Sequence, residues 1–284
     1  MRLTSPLLPR TLPGTDVSST TNTAMVILNT PMTKPPSLIF QTLWESSSFH
    51  ICADGGANRL YHATINDDEN DNMNEKDHKH NAYIPSAIRG DLDSLQPHVR
   101  DYYASKNVLI EQDPCQDTND LDKALQKIVN HPSLLSSSVG DSPPTVVIYG
   151  AFGGRFDQEM ASFQALYKWA DAFHHRLWLY SDETSAVLIP AGALVEIQIP
   201  HQLPNDSTST WVREGPTCGL IPLGSKVDSI TTTGLQWNLE QAATEFGGLV
   251  STSNHILNEV VTVQTSHPII FTAEVTTTTT TNTR

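Results

Sequence analysis

The run Val146-Val147-Ile148-Tyr149-Gly150-Ala151-Phe152-Gly153-Gly154-Arg155-Phe156-Asp157-Gln158 decides the fold class. Four consecutive apolar residues lead into a glycine-rich loop and then into the start of a helical pattern. An unbroken apolar run is the mark of a strand covered on both faces. The same plan recurs along the chain. Short strands are expected at Met25–Leu28, His50–Ala53, Ala87–Arg89, Val108–Glu111 and Leu177–Tyr180. Helical patterns at Leu38–Trp44, Ala57–Ala63, Val99–Lys106, Leu121–Val129 and Phe156–Phe173 alternate with them. In the fourth, Leu121, Ala124, Leu125, Ile128 and Val129 recur at helical spacing on one face. This alternation predicts an α/β fold, an open, mostly parallel sheet with helices on both faces. Ligands of such sheets lie beyond the carboxyl ends of the strands.

After Ser185 the pattern changes to strands separated by Gly, Pro and Asn: Leu194–Ile199, Gly219–Leu223, Ser229–Thr233, Gly248–Ser253, Val260–Gln264 and Ile269–Ala273. A smaller antiparallel β-sandwich domain is expected there. The expected organisation is a disordered leader over 1–23, an α/β domain over 24–184, the sandwich over 185–275 and a threonine-rich disordered tail over 276–284. Pro6, Pro9 and Pro13 argue against a helical targeting segment in the leader. Asn66–Asn81, His131–Pro144 and His201–Ser209 read as loops or insertions.

Charge and composition narrow the function. The 284 residues carry a formal charge of −14, which argues against a nucleic-acid backbone as partner. Mean hydropathy is −0.28 and no stretch approaches the roughly 18 apolar residues of a membrane span. Part of the acidity is peripheral, since Asn66–Asn81 holds six acids against two lysines. Cys52, Cys115 and Cys218 are odd in number and widely separated, so neither a disulfide framework nor a metal spacing arises. A reducing, cytoplasmic setting is the expectation.

Three segments carry candidate chemistry. In Arg89-Gly90-Asp91-Leu92-Asp93-Ser94 two carboxylates follow a strand, two residues apart. Such a pair suits Mg2+, a hard ion that takes carboxylate and phosphate oxygens. The same residue types also suit a turn. A second acidic set, Asp113-Pro114-Cys115-Gln116-Asp117-Thr118-Asn119-Asp120, follows the next strand on the same sheet edge. Thr118 or Asn119 could cap the following helix, but two acidic sets facing one crevice call for a cation between them. The loop Gly150–Arg155 offers backbone N–H groups at a helix start beside an arginine, a setting for an anion. Asp54-Gly55-Gly56-Ala57-Asn58 repeats that plan. Trp237, Ser253 and Asn254 read from pattern alone as core and turn residues.

In order, these segments resemble thiamine pyrophosphokinases, over Ala24 to Ala273. The resemblance rests on Ala53–Asn58, Gly90–Ser94, Gln116 and Asp117 through Asp120 and Lys123, Gly154–Gln158, Thr231–Leu239 and Leu249–Asn254. It implies a thiamine diphosphokinase that passes the diphosphate of ATP to thiamine with Mg2+ as cofactor, working as a homodimer with sites at the subunit interface. By the same resemblance Asp91, Asp93 and Asp120 form the catalytic and metal-binding acids, with Arg155 and Asp157 where ATP meets the acceptor. Asp54, Gly55, Gln116 and Gly154 fall beside the nucleotide. Trp237 would cover thiamine, with Ser253 and Asn254 on its ring. Competing readings are a magnesium-dependent nucleotide pyrophosphohydrolase and a non-catalytic thiamine or nucleotide sensor.

Overall fold

The computed structural model describes residues 1–7, 22–65, 83–131, 144–199 and 210–279. Residues 8–21 of the leader, the Asn66–Asn81 segment, most of the His131–Pro144 insertion, the His201–Ser209 loop and the last five residues lie outside the described residues.

The elements run β1 (Arg2–Thr4), β2 (Thr23–Ile27), α1 (Leu38–Ser46), β3 (Phe49–Ala53), α2 (Gly56–Thr64), β4 (Ala87–Gly90) and α3 (Pro97–Ser105). Then come β5 (Leu109–Gln112), α4 (Asp120–Val129), β6 (Thr145–Tyr149), α5 (Phe156–Lys168), β7 (Leu177–Tyr180) and β8 (Thr184–Ile189). The last part holds β9 (Leu194–Gln198), β10 (Thr210–Ile221), β11 (Val227–Thr233), β12 (Ala242–Thr244), β13 (Ser251–His255), β14 (Val260–Thr265) and β15 (Ile269–Thr279).

Ten strands form one sheet, in the order β13-β10-β15-β8-β7-β6-β2-β3-β4-β5. The β7-to-β5 half is parallel throughout. Strands β2 and β7 are buried along their whole length, which explains their unbroken apolar runs. Helices α1, α2 and α3 bury Phe40, Leu60 and Tyr103 against one face. Helices α4 and α5 bury Leu121, Leu125 and Leu166 against the other. Helix α4 starts where Asn119 Oδ1 accepts from the Asp122 N–H at 2.7 Å, a side-chain cap. Helix α1 starts the same way at Ser37, 3.1 Å from the Phe40 N–H.

The expected division at residue 184 does not interrupt the sheet. After β7 the chain reverses, β8 pairs with it antiparallel, and β15, β10 and β13 continue the same sheet. The second, five-stranded sheet, β1-β9-β14-β11-β12, packs on this antiparallel half. Val195, Ile197, Val261 and Val263 from it share a core with Leu220 and Phe271. The sandwich is therefore real, but one of its layers belongs to the α/β sheet.

Two expectations of disorder are corrected. Residues 1–7 are ordered: β1 pairs parallel with β9, and Leu3, Ser5 and Leu7 all point inward. Pro6 disfavours a helix there, and the alternation at positions 3, 5 and 7 suits an extended edge strand. Thr23 likewise belongs to β2, and is buried. At the other end, Thr276–Thr279 pair with Arg213–Thr210 of β10. Threonine is β-branched and extends a strand wherever a partner offers a free edge. Strand β10 itself is longer than its pattern suggested, because a register irregularity between Glu214 and Cys218 absorbs Pro216. Helix α5 stops at Lys168, short of Phe173, and the chain then turns with positive φ at His174 and His175.

Candidate active site

Along the parallel half, connections lead from β2 outward through β3, β4 and β5, then return to β6 on the opposite side of β2. The order thus reverses between β2 and β6, and a crevice opens at that point beyond the strand ends. A cleft of about 570 Å³ lies there. Its walls are Leu28–Pro31 after β2, Ala53–Gly55 after β3, Asp91 and Ser94 after β4, Gln116–Leu121 and Lys123 around the start of α4, and Gly150, Ala151 and Gly153–Arg155 after β6.

The acidic wall begins with Asp54, buried and held at φ +41°. A left-handed conformation at a non-glycine residue is strained, and Asp54 lines the crevice. The Ser94 N–H donates to Asp54 Oδ2 at 3.1 Å, while Oδ1 is buried with no hydrogen-bond partner. Burial is the main cause that raises this carboxyl above the ordinary aspartate range, and the Asp120 and Asp91 charges add to it. Hydrogen bonding to Ser94 opposes the rise.

Gly90 permits the close approach of Asp54 and Asp120 to the end of β4. A Cβ there would come within 2.7 Å of Asp54 Cβ and 3.0 Å of Asp120 Oδ1. Asp91 Oδ1 then accepts from the Asp93 N–H at 3.3 Å, and Asp93 Oδ1 accepts from the Ser94 hydroxyl at 3.0 Å. Ligand oxygens of Asp54, Asp91 and Asp93 all lie within 4.8 Å of one another. This donor set, three carboxylates with one buried orphan oxygen, fits a hard divalent cation.

Asp120 stands beside this trio rather than in it. Its Oδ1 accepts from the Asp91 N–H at 3.2 Å and from Lys123 Nζ at 3.2 Å. The resemblance grouped Asp91 and Asp93 with Asp120; in the folded chain Asp54 stands with Asp91 and Asp93, and Asp120, which also lines the cleft, pairs with Lys123. A network behind β4 fixes the frame: Arg89 donates to Asp113 at 2.8 Å and to Glu111 at 3.4 Å, and Lys127 reaches Glu111 at 2.8 Å.

The opposite wall is the glycine loop. Gly153 and Gly154 have φ of +83° and +78°, and a Cβ on either would meet nothing within 4 Å. Open space above a left-handed turn at a helix start lets a bulky anion reach the backbone N–H groups. Arg155 lines the cleft and pairs with exposed Asp157 through both Nε and Nη2. The guanidinium holds the Asp157 carboxyl below its usual range. Gly55 and Gln116 also line the cleft, whereas Asp157 does not.

Trp237, Ser253 and Asn254 do not line the cleft. The Trp237 indole is 55% exposed. Asn254 is buried, and its amide is spent on the loop that presents the indole: Nδ2 donates to Trp237 O at 2.8 Å and Oδ1 accepts from the Trp237 N–H at 3.1 Å. Asn254 therefore presents Trp237 instead of offering a free amide. Ser253 is exposed at φ +57°.

Sequence reasoning gave no role to Lys123 or Asn29, both in the cleft wall. A signal for Lys123 existed, since a lysine in the first turn of a helix opposes the helix dipole. Asn29 had none. Its contact with Arg59 Nε, 2.8 Å, links the loop after β2 to α2 and needs the folded chain.

The family model described as thiamin pyrophosphokinase, catalytic domain, matches residues 40–179. The model described as thiamin pyrophosphokinase, vitamin B1 binding domain, matches residues 196–270. Thiamine pyrophosphokinase 1 of Oryza sativa subsp. japonica is 34% identical over 279 residues, covering 96% of this chain and 94% of its own. Thiamine pyrophosphokinase 1 of Arabidopsis thaliana is 36% identical over 265 residues, with 93% and 90% covered. Among solved structures, yeast thiamin pyrophosphokinase superposes with a TM-score of 0.72 at 26% identity, covering 97% of this chain and 91% of that one. With both domain models matched in order and the relatives aligned over nearly the full length, the chain belongs to the thiamine pyrophosphokinase family.

Proposed function

We propose that the protein is a thiamine diphosphokinase, which transfers the diphosphate group of ATP to the hydroxyl of thiamine and releases thiamine diphosphate and AMP. Family membership supports the activity. The observation that carries the site assignment is the Asp54–Asp91–Asp93 group, of which Asp54 and Asp91 line one cleft with the glycine loop at the strand-order reversal.

The thiamine hydroxyl oxygen forms a bond to the β-phosphorus of ATP. The bond from that phosphorus to the α–β bridging oxygen breaks, and AMP leaves with the electron pair. Such transfers depend on positioning and charge neutralisation. Asp54, Asp91 and Asp93 would hold Mg2+, which when bound neutralises phosphate charge. The backbone N–H groups of the Gly153–Gly154 loop and the Arg155 guanidinium hold phosphate oxygens. Arg155 is exposed and can exchange Asp157 for phosphate. A carboxylate of the acidic set accepts the hydroxyl proton.

Trp237 supplies a face for the cationic thiazolium ring. Because the exposed indole stands outside the cleft wall, we assign the two halves of a working site to different copies of a homodimer. Among the described residues no helix is long and apolar enough to cross a membrane. The free Cys52, Cys115 and Cys218 fit a cytoplasmic protein.

Incubation with ATP, Mg2+ and thiamine, followed by product identification, tests the reading. AMP with thiamine diphosphate is expected. ADP with thiamine monophosphate overturns attack at the β-phosphorus, and AMP formed equally fast without thiamine favours a hydrolase.

A further inference from the structure

We propose that Lys123 is a positioning residue that serves as a built-in cation of the cleft: its ammonium keeps the acidic group from holding a divalent ion tightly by itself, so the ion enters with the polyphosphate. The proposal rests on the reading of the cleft given above. Lysine is almost never fully buried unless paired, yet the Lys123 side chain is 2% exposed. It lies in the first turn of α4, where helix N–H groups disfavour a cation, among buried Leu121, Ala124 and Leu125. The compensation is electrostatic: Nζ is 3.2 Å from Asp120 Oδ1 and 4.0 Å from Asp91 Oδ2.

Asp91 is thus shared. One side faces Lys123 and the other belongs to the group with Asp54 and Asp93. Among the other cations near the cleft, Arg155 pairs with Asp157, Lys168 with Asp122, and Arg89 with Glu111 and Asp113, while Arg59 donates to the Asn29 amide oxygen. A divalent ion arriving alone meets a group already partly neutralised, and is repelled by a fixed ammonium a few ångströms away. Phosphate oxygens in the cleft change that balance, because they give both cations further negative charge. Lys123 lines the cleft in which they would sit, with its ammonium on the two acids of that wall.

The test is binding of Mn2+ to the full chain, by calorimetry or electron paramagnetic resonance, first alone and then with a non-hydrolysable ATP analogue. Lys123→Met is expected to bind Mn2+ alone at least tenfold more tightly than the unaltered protein, and to bind the Mn2+–analogue pair more weakly. Lys123→Arg, which keeps the charge, should restore the original pattern. A merely structural lysine would give the opposite first result, looser Mn2+ in a loosened site. Unchanged or weaker Mn2+ binding by Lys123→Met, beside an unaltered protein that binds Mn2+ with the analogue, overturns the role of Lys123 alone. An unaltered protein that binds no Mn2+ in either condition overturns the reading of the cleft as well. Lys123→Gln, whose amide still donates to Asp120, carries the same expectations if Lys123→Met does not fold.

Discussion

The main-chain N–H of Ser94 donates to Asp54 Oδ2 across forty residues of sequence, at 3.1 Å. That bond ties the loop after β3 to the loop after β4, and the other oxygen of Asp54 is buried and unpartnered. An unpaired buried acceptor costs roughly 1–3 kcal/mol. Asp54 therefore stands in the acidic group at the expense of fold stability.

Asp91→Asn removes one charge from this group without changing its shape. The variant should remain folded and lose about two orders of magnitude or more in turnover, the scale of an electrostatic stabiliser of a transition state. Steady-state AMP formation, with a thermal melt as the control for folding, measures it. Near-normal turnover in a folded variant rejects the metal role of Asp91.

Trp237→Ala should weaken thiamine binding by about 1–2 kcal/mol, the worth of a desolvated cation–π contact, and leave ATP binding nearly unchanged. Titration of each substrate decides; a larger change for ATP would remove the stacking assignment. If the site is shared between copies, mixing Asp91→Asn with Trp237→Ala protein restores one intact site per mixed dimer. At low thiamine the mixture should then exceed the summed activity of its two components. Strict additivity after subunit exchange would place Trp237 and Asp91 of one site on one chain.

Asp122 joins the helix that bears Asp120 and Lys123 to the helix that follows the glycine loop. Its oxygens accept from Trp169 Nε1 at 2.7 Å and from Lys168 Nζ at 2.9 Å. Asp122→Ala leaves the part-buried indole N–H without its acceptor, and should cost about 1–3 kcal/mol. Lys168 is half-exposed, so most of the loss belongs to the tryptophan bond. The urea midpoint should fall at unchanged slope; a midpoint equal to that of the unaltered chain would show that the helices are held elsewhere.

Glu214 is buried between the two sheets, and its Oε1 accepts from the Tyr180 hydroxyl at 2.6 Å. Burial raises its carboxyl above the usual glutamate value, and hydrogen bonding from Ser5, Tyr180 and Ser185 partly offsets the rise. The folded protein thus keeps a proton on Glu214 in a pH range where the unfolded chain has lost it. From the ordinary glutamate value up to the folded one, stability falls as pH rises. Glu214→Gln removes that fall, so its advantage over the unaltered chain should grow with pH. Urea midpoints of the two proteins from about pH 4 to pH 8 test this; parallel profiles would mean that Glu214 does not titrate differently on folding.

Much of this protein was legible in order along the chain. Unbroken apolar runs such as Val146–Tyr149 and Leu177–Tyr180 marked strands covered on both sides, and helical spacing in Leu121–Val129 marked α4. Glycines beside carboxylates at Gly90–Asp93, and beside arginine at Gly153–Arg155, marked the two cleft walls. These readings hold because periodicity and turn chemistry are local: each depends on neighbours within one or two turns of chain.

Folding alone decided the rest, because the deciding partners are remote in sequence. The edge of β9 orders Leu3 and Ser5, and the edge of β10 extends the threonine run, although neither segment carries a strong signal of its own. The sheet runs unbroken through the expected domain boundary because β8 found β7. Which acids stand together was likewise a three-dimensional outcome. Asp54 joined Asp91 and Asp93 through the Ser94 bond, and the first turn of α4 gave Asp120 to Lys123. Side-chain type can show that a site is acidic, but the pairing of its charges depends on distances set by the packed strands.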